Sequence, residues 1–391
     1  MREVFLSHQS MVNRQSRIIA TRLVLNLDGG AAMADAVGTL NALASVWPPG
    51  DKPLFISCGK ANCTAELLDW SPPRNAVIEI PAASLVGDHA PALLSALQVW
   101  QPSVCLQFDS AAVQALSAAV QFRFIGLDAQ QFSLPQLKML GARTRALGIG
   151  IAFNVESSKD FHACLDAGLS AACGWFFTKG INQSAKTLTP GQANIVRVLN
   201  LVRKNAEIRE IEAILRQDVA ISYKLLRYIN SAGFGLSCEI QSFRHAVSIL
   251  GYDKLNRWLS LLLATASKDP MATALMHTAL WRARLLELLA HGLVDRSEYD
   301  NLFITGAFSL LDILLGISME RVLETMRLPD AISDALLGNG GRYGPFLDLA
   351  LASERADGAG MAAQAAMLGL RADAVNRAQL QALAFAESME F

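Results

Sequence analysis

Two kinds of periodicity divide the chain. Up to about residue 180, short apolar or alternating runs of the strand type are separated by stretches whose apolar residues recur every three or four positions. The runs predict strands over Val4–Ser7, Arg17–Asn26, Pro53–Cys58, Ala76–Pro81, Ser103–Phe108, Phe122–Asp128, Gly148–Val155 and Ala171–Phe177. The stretches Ala31–Val46, Thr64–Trp70, Pro91–Trp100, Ala111–Val120, Leu134–Ala146 and Asp160–Gly168 predict helices between them. Strand and helix in alternation make parallel sheet units, and eight of them predict a closed (β/α) barrel. Too few residues separate the first two strands for a helix, so the barrel is expected to begin with an antiparallel pair.

Beyond about Lys186 the strand pattern stops. Thr187-Leu-Thr-Pro-Gly191 supplies a break, after which Ile195, Val198, Leu199 and Val202 share one helix face, Ile208, Ile211 and Leu215 the next, and Leu225, Leu226 and Ile229 a third. The fold class expected is α/β plus all-α: a TIM-like barrel over residues 1–186 and a helical bundle over 187–391. All five tyrosines lie in the second part, as two separately built domains would have it.

Composition narrows the function classes. Of the 391 residues 52% are hydrophobic and 18% charged, which argues for packed cores and against disorder. With 34 Lys+Arg against 35 Asp+Glu the net charge is −1, so nothing draws the whole protein to nucleic acid or to an anionic membrane. The longest uncharged stretch, His89–Phe108, is interrupted by Pro91, Pro102 and three glutamines, so no membrane insertion is expected. No basic segment leading into an apolar one opens the chain, which points to the cytoplasm. Cysteines 58, 63, 105, 164, 173 and 238 form no CxxC pair and are expected to be buried thiols.

The run Asp218-Val-Ala-Ile-Ser-Tyr-Lys-Leu-Leu-Arg-Tyr-Ile-Asn-Ser-Ala-Gly-Phe-Gly235 and the segment Ile240–Gly251, with its Ala246-x-x-x-Leu250-Gly251 end, resemble an HDOD domain. The likeness extends through Gly306–Asp312 to about Glu354. HDOD domains are similar to metal-dependent HD phosphohydrolases, whose water activation needs a His-Asp dyad with further ligands. Here none of the six histidines is followed by Asp, and Leu310-Leu311-Asp312 stands where the dyad would fall. His245, His277 and His291 have no ligand spacing around them and are expected to be structural or exposed.

The first part resembles the EAL family of cyclic di-GMP phosphodiesterases. Gln9–Met11 and Ile18-Ile-Ala-Thr-Arg-Leu-Val24 match the Arg-Gln-Pro-Ile segment and the signature strand, Ala152–Ser157 the Ala-Glu-x-Val-Glu-Thr strand, and Gly174–Lys179 the closing Gln-Gly-Tyr segment. The resemblance implies that the signature Glu falls on Arg22, the strand-end Asn on Ser57, a second Glu on Ala82 or its neighbour, and the paired aspartates on Gln107 and Phe108. The Lys falls on Gly126, a further Glu on Phe153 and the closing Gln on Cys173, leaving Asp128 and Glu156 of the family's set. Arg22, Asp128 and Glu156 are therefore the candidate residues of a vestigial pocket, with no metal, cofactor or catalytic residue expected.

Three other features are read as structural. Gly338-Asn-Gly-Gly-Arg-Tyr-Gly344 follows no strand and lacks the Lys-Ser/Thr of a phosphate loop, so it is expected to join two helices. Glu66-Leu-Leu sits on a helix, not at the second strand. The cations Lys224, Arg227, Arg244, Lys254 and Arg257 are expected to be solvated helix faces rather than a nucleic-acid surface. The expectation is thus a bacterial signalling protein that is not an enzyme and works through protein partners, with the resemblance implying processes such as motility, surface attachment or biofilm formation. The alternative is a receptor that binds cyclic di-GMP without cleaving it. Nucleotide binding is not expected on the leading reading, and a homodimer is left open.

Overall fold

The computed structural model describes residues 3–27, 31–59, 61–100, 103–108, 122–178, 188, 190–217, 243–265, 271–326 and 328–389. The expected helix at Ala111–Val120 and the run Asp218–Gly235 lie outside them.

Eight strands close a barrel in chain order: β1 (Phe5–Asn13), β2 (Ile18–Asn26), β3 (Leu54–Ser57), β4 (Ala76–Pro81), β5 (Ser103–Phe108), β6 (Phe124–Asp128), β7 (Ile149–Phe153) and β8 (Ala171–Cys173). β1 runs antiparallel to both β2 and β8, and the remaining pairings are parallel. The barrel and its antiparallel opening are as the sequence predicts. The first strand runs on past Ser7 to Asn13, because His8, Gln9 and Ser10 keep the two-residue alternation despite their polarity. β7 stops before Asn154, which turns the chain at φ 56°, and β8 is only three residues long, with Phe176–Thr178 forming a 3-10 turn. The expected helix around Glu66 is a 3-10 turn, Ala65–Asp69.

Helices α1 (Met33–Ala42), α2 (Ala90–Trp100), α3 (Leu134–Leu147) and α4 (Ser158–Asp166) fill the crossovers. α4 begins at Ser158 because the Ser157 hydroxyl accepts the Asp160 amide, capping the first turn. Inside the barrel Met11, Ala20, Phe55, Val77, Cys105, Phe124, Ile151, Phe153 and Cys173 form the buried core.

Two compact units are present, Met1–Lys179 with Leu351–Arg377, and Gly180–Ala350 with Ala378–Phe391. The expectation of a single cut after residue 186 made no provision for the return of Leu351–Arg377 to the barrel unit. On β1, β8 pairs only with Met11–Asn13, and higher on β1 the Asn376 side chain bonds the strand. Its Oδ1 accepts the Leu6 amide at 2.8 Å and its Nδ2 donates to the Val4 carbonyl at 2.8 Å.

The second unit is helical, with α5 (Pro190–Arg203), α6 (Ile208–Gln217), α7 (Phe243–Thr265), α8 (Ala272–Leu289), α9 (Tyr299–Phe308), α10 (Leu311–Leu315), α11 (Met319–Thr325) and α12 (Asp330–Leu336). Gly251, at φ 72°, breaks α7 into two pieces. The glycine-rich segment after α12 leads into α13 (Gly344–Glu354), followed by α14 (Gly358–Leu368) and α15 (Ala372–Ser388). Arg257 binds the Glu287 carboxylate through two nitrogens at 2.8 and 2.6 Å, and Arg284 adds a third bond at 2.6 Å. Among the described residues no helix is long and apolar enough to cross a membrane.

Candidate functional site

Barrels of this kind carry their sites at the C-terminal ends of the parallel strands. Alternation along the strands sends every second side chain inward, so the layer above the apolar core is set by residues two positions on from core positions. Gln9, Arg22, Ser57, Glu79 and Gln107 make up that layer, one from each of β1 to β5. Arg22 is 8% exposed and Glu79 fully buried.

These five side chains bond to one another. Arg22 Nε donates to both Glu79 oxygens at 2.8 and 3.0 Å, and Nη2 donates to Glu79 Oε2 at 2.9 Å and to Ser57 Oγ at 3.1 Å. Nη1 reaches Gln9 Oε1 at 3.1 Å, and Gln107 Nε2 donates to Glu79 Oε2 at 2.6 Å. A guanidinium has five N–H donors, and five contacts to acceptors on three residues leave little of it unused. Phe153 closes the layer from β7, with the Arg22 guanidinium carbon 4.5 Å from its ring centroid. A Cβ on Gly126 would collide with the Phe153 ring. Gly126 and Phe153 are therefore a matched pair: the ring fills the space that a side chain at position 126 would need.

Burial works to lower the Arg22 pKa, but the Glu79 charge and hydrogen bonds override it and hold the guanidinium above its usual value. The Cys173 thiol beneath is pushed up to about 12, chiefly by burial. The layer is thus a neutral ion pair in a water-poor setting. Its donor set does not fit a divalent cation, since the Glu79 oxygens already take N–H donors and a guanidinium stands against them. Among the described residues no three His, Cys, Asp or Glu side chains converge on a point that would hold a metal ion.

Of the candidate residues, Arg22 lies in this layer. Asp128 is half-buried at the end of β6, where Oδ1 accepts the Gln130 amide at 2.9 Å and Oδ2 accepts Asn154 Nδ2 at 2.9 Å and Gln131 Nε2 at 3.2 Å. Glu156 is exposed beyond β7. Among the described residues no hydrogen bond or ion pair joins Arg22 to either carboxylate. In their place stands Glu79, which sequence reasoning missed. A single charge inside the apolar strand Ala76-Val-Ile-Glu-Ile-Pro81 was the available signal, because a buried carboxylate demands a cationic partner. In the helical unit, Asp312 lies in the short helix α10 with its carboxyl raised by burial. His277 is 8% exposed, and the His291 ring lies 4.7 Å from that of Tyr299.

Residues 188–327 match the family model described as the HDOD domain. The chain is 31% identical over 243 residues to the protein named cyclic di-GMP phosphodiesterase CdgJ of Vibrio cholerae, covering 62% of this chain and 55% of that protein. It is 28% identical over 205 residues to YuxH of Bacillus subtilis, covering 51% and 50%. The chain spans about half the length of these curated relatives. Similar solved structures include Klebsiella pneumoniae BlrP1 in complex with manganese and cyclic di-GMP, at TM-score 0.37, 16% identity, 45% of this chain and 55% of that one. The EAL domain of Mycobacterium smegmatis DcpA matches at TM-score 0.35 and 14% identity, over 44% and 90%.

One expectation is corrected by these relatives. The chain was expected not to be an enzyme because the inherited ligand positions hold Arg22, Ser57, Gln107, Phe108 and Phe153. A protein 31% identical to it is named a phosphodiesterase, which removes the ground for excluding catalysis on missing ligands alone. An eight-stranded closed barrel is thus followed in the chain by residues 188–327, which match the HDOD model.

Proposed function

We propose that the chain works in cyclic di-GMP signalling and exerts its effect through contacts with other proteins, in processes such as motility, surface attachment or biofilm formation. The signalling context is supported by the phosphodiesterase name of the Vibrio cholerae relative. The observation that carries the protein-contact part is the self-satisfied layer at the barrel mouth. Arg22 is the cation best placed to meet a phosphate there, and its charge is committed to Glu79 at 2.8 Å. Binding at 1 μM requires about 8 kcal/mol, whereas a charge-assisted hydrogen bond supplies about 1.5–3 kcal/mol. A nucleotide would have to break the pair before gaining even one such bond.

The experiment is a titration of the full chain with cyclic di-GMP by calorimetry, run beside a turnover assay in magnesium or manganese. The reading expects a Kd weaker than about 100 μM, corresponding to about 5.5 kcal/mol, while disruption of the gene changes motility or attachment and a copy carrying Arg22→Met with Glu79→Leu restores them. Low-micromolar binding, or turnover that the charge-compensated Arg22→Met with Glu79→Leu abolishes, would move the function from protein contacts to the nucleotide itself.

A further inference from the structure

β1 is antiparallel to its neighbours, so its first residues stand at the same end of the barrel as the last residues of β2. The register pairs Gln9 with Arg22, Ser7 with Val24 and Phe5 with Asn26. Gln9 and Arg22 point inward, into the ion-pair layer. By the two-residue period Ser7 and Asn26 also face inward, closer to the mouth. Asn26 Nδ2 donates to Ser7 Oγ at 2.7 Å and to the Phe5 carbonyl at 3.0 Å, binding the two strand ends together.

A helix from the far end of the chain sits on this ladder. Ser7 Oγ donates to Met361 Sδ at 3.4 Å, and both residues are fully buried. One turn earlier Gly358 lies so close to Asn26 that a Cβ there would stand 2.9 Å from the Asn26 Cβ. Asp357 caps the helix start by accepting the Gly360 amide at 2.8 Å, and Asn376 fastens the following helix to Val4 and Leu6. This segment lies beyond the residues matched by the HDOD model and belongs to the barrel unit.

From these contacts we infer that α14 is an autoinhibitory cover, seated over the β1–β2 sector of the barrel mouth and closing the space above Arg22 and Glu79 to a ligand. The inference deepens the functional reading only in naming what regulates the mouth, and its first test needs no nucleotide. The helix offers two handles: Gly358, where any side chain must push Asn26 away, and Met361, whose thioether is the plug above Ser7. Met367 on the same helix is 70% exposed and serves as the control.

The test places a thiol beneath the cover by Val24→Cys and follows its labelling by a small methanethiosulfonate in the full chain, with peptide mass mapping to separate it from the native cysteines. Adding Gly358→Val is expected to speed hydrogen exchange in residues 354–368 and to raise labelling at position 24 at least tenfold. Cys164, on α4, stays at its original rate, and Met367→Ala changes neither. Should Gly358→Val leave the helix in place, Met361→Arg is the second variant. A helix that exchanges faster without faster labelling at position 24, a helix that neither variant displaces, or a rise at Cys164 equal to that at position 24 each overturns the inference. Titration of the opened variant with cyclic di-GMP separates the two readings. Binding gained on opening names the guarded ligand. Faster labelling without binding keeps the cover and disconnects it from the nucleotide.

Discussion

Replacing Glu79 with leucine should be among the most damaging single changes in the barrel. The carboxylate is fully buried and accepts from Arg22 Nε, Arg22 Nη2 and Gln107 Nε2 at 2.6 to 3.0 Å. Its loss strands a guanidinium that is 8% exposed and keeps only Ser57 and Gln9 as acceptors. Leaving one partner of a buried pair uncompensated costs about 3–5 kcal/mol, whereas exchanging both partners for apolar residues is neutral or stabilising by about 1–4 kcal/mol. Glu79→Leu should therefore remove a fifth or more of the stability of a typical domain, about 5–15 kcal/mol. Arg22→Met with Glu79→Leu should recover most of it. Because the chain has two units, a single global transition is not a safe measure. Urea-dependent hydrogen exchange of peptides from β2 to β5 reports on the barrel alone. A cost below about 1 kcal/mol for Glu79→Leu, or a double variant as unstable as the single one, would refute the view that the pair is held together by mutual charge compensation.

In the helical unit, burial acts to raise the Glu287 pKa, but Arg257 and Arg284 outweigh it and hold the carboxyl below its usual value. A depressed folded pKa contributes stability that is present above the unfolded value of about 4.3 and is lost as pH falls through the folded one. Glu287→Gln should thus lower stability at pH 7 and converge with the parent chain in acid, and an equal gap at both ends of a pH series of urea midpoints would contradict this. Burial holds Cys164 at about 11 and Cys173 at about 12. At pH 8 a thiol with the Cys173 value carries roughly a thousandfold fewer thiolates than an ordinary cysteine at 8.5, so iodoacetamide followed by mass spectrometry should find it unmodified until the chain is unfolded. Asn376→Ala should remove its bonds to the Leu6 amide and the Val4 carbonyl, at about 0.5–1.5 kcal/mol for each bond, and unchanged exchange at Leu6 would show that Asn376 does not support β1.

Much of the barrel was legible because its strands are apolar on both faces and bounded by turn residues: Ala76–Pro81 and Ser103–Phe108 are found where the pattern puts them. The pattern failed where local chemistry competes with periodicity. His8, Gln9 and Ser10 hid the second half of β1, since polar residues at the mouth of a barrel look like the end of a strand. Thr64–Trp70 has a helical spacing of apolar residues, yet it closes as a 3-10 turn over Ala65–Asp69. At the site, the family resemblance led to Arg22 but not to its partner, since it placed the second Glu at Ala82 or its neighbour and passed over Glu79. The association of Asn376 with Val4 and Leu6 spans about 370 positions and left no local trace: an asparagine in a helix is usually a surface residue.

The bond between Asn376 and β1 also sets a timetable for synthesis. β8 is complete once Cys173 has been made, but the upper edge of β1 gains its side-chain partner only about 200 residues later. At about 5–20 residues per second, that interval is roughly 10–40 s, during which the barrel emerges from the ribosome with the Asn376 bonds to its first strand still to form. Open strand edges recruit other chains. A messenger that stalls within the helical region would release a nascent product whose hazard is edge-to-edge association, so the pace of translation through residues 180–376 bears on how much of the protein reaches its native state.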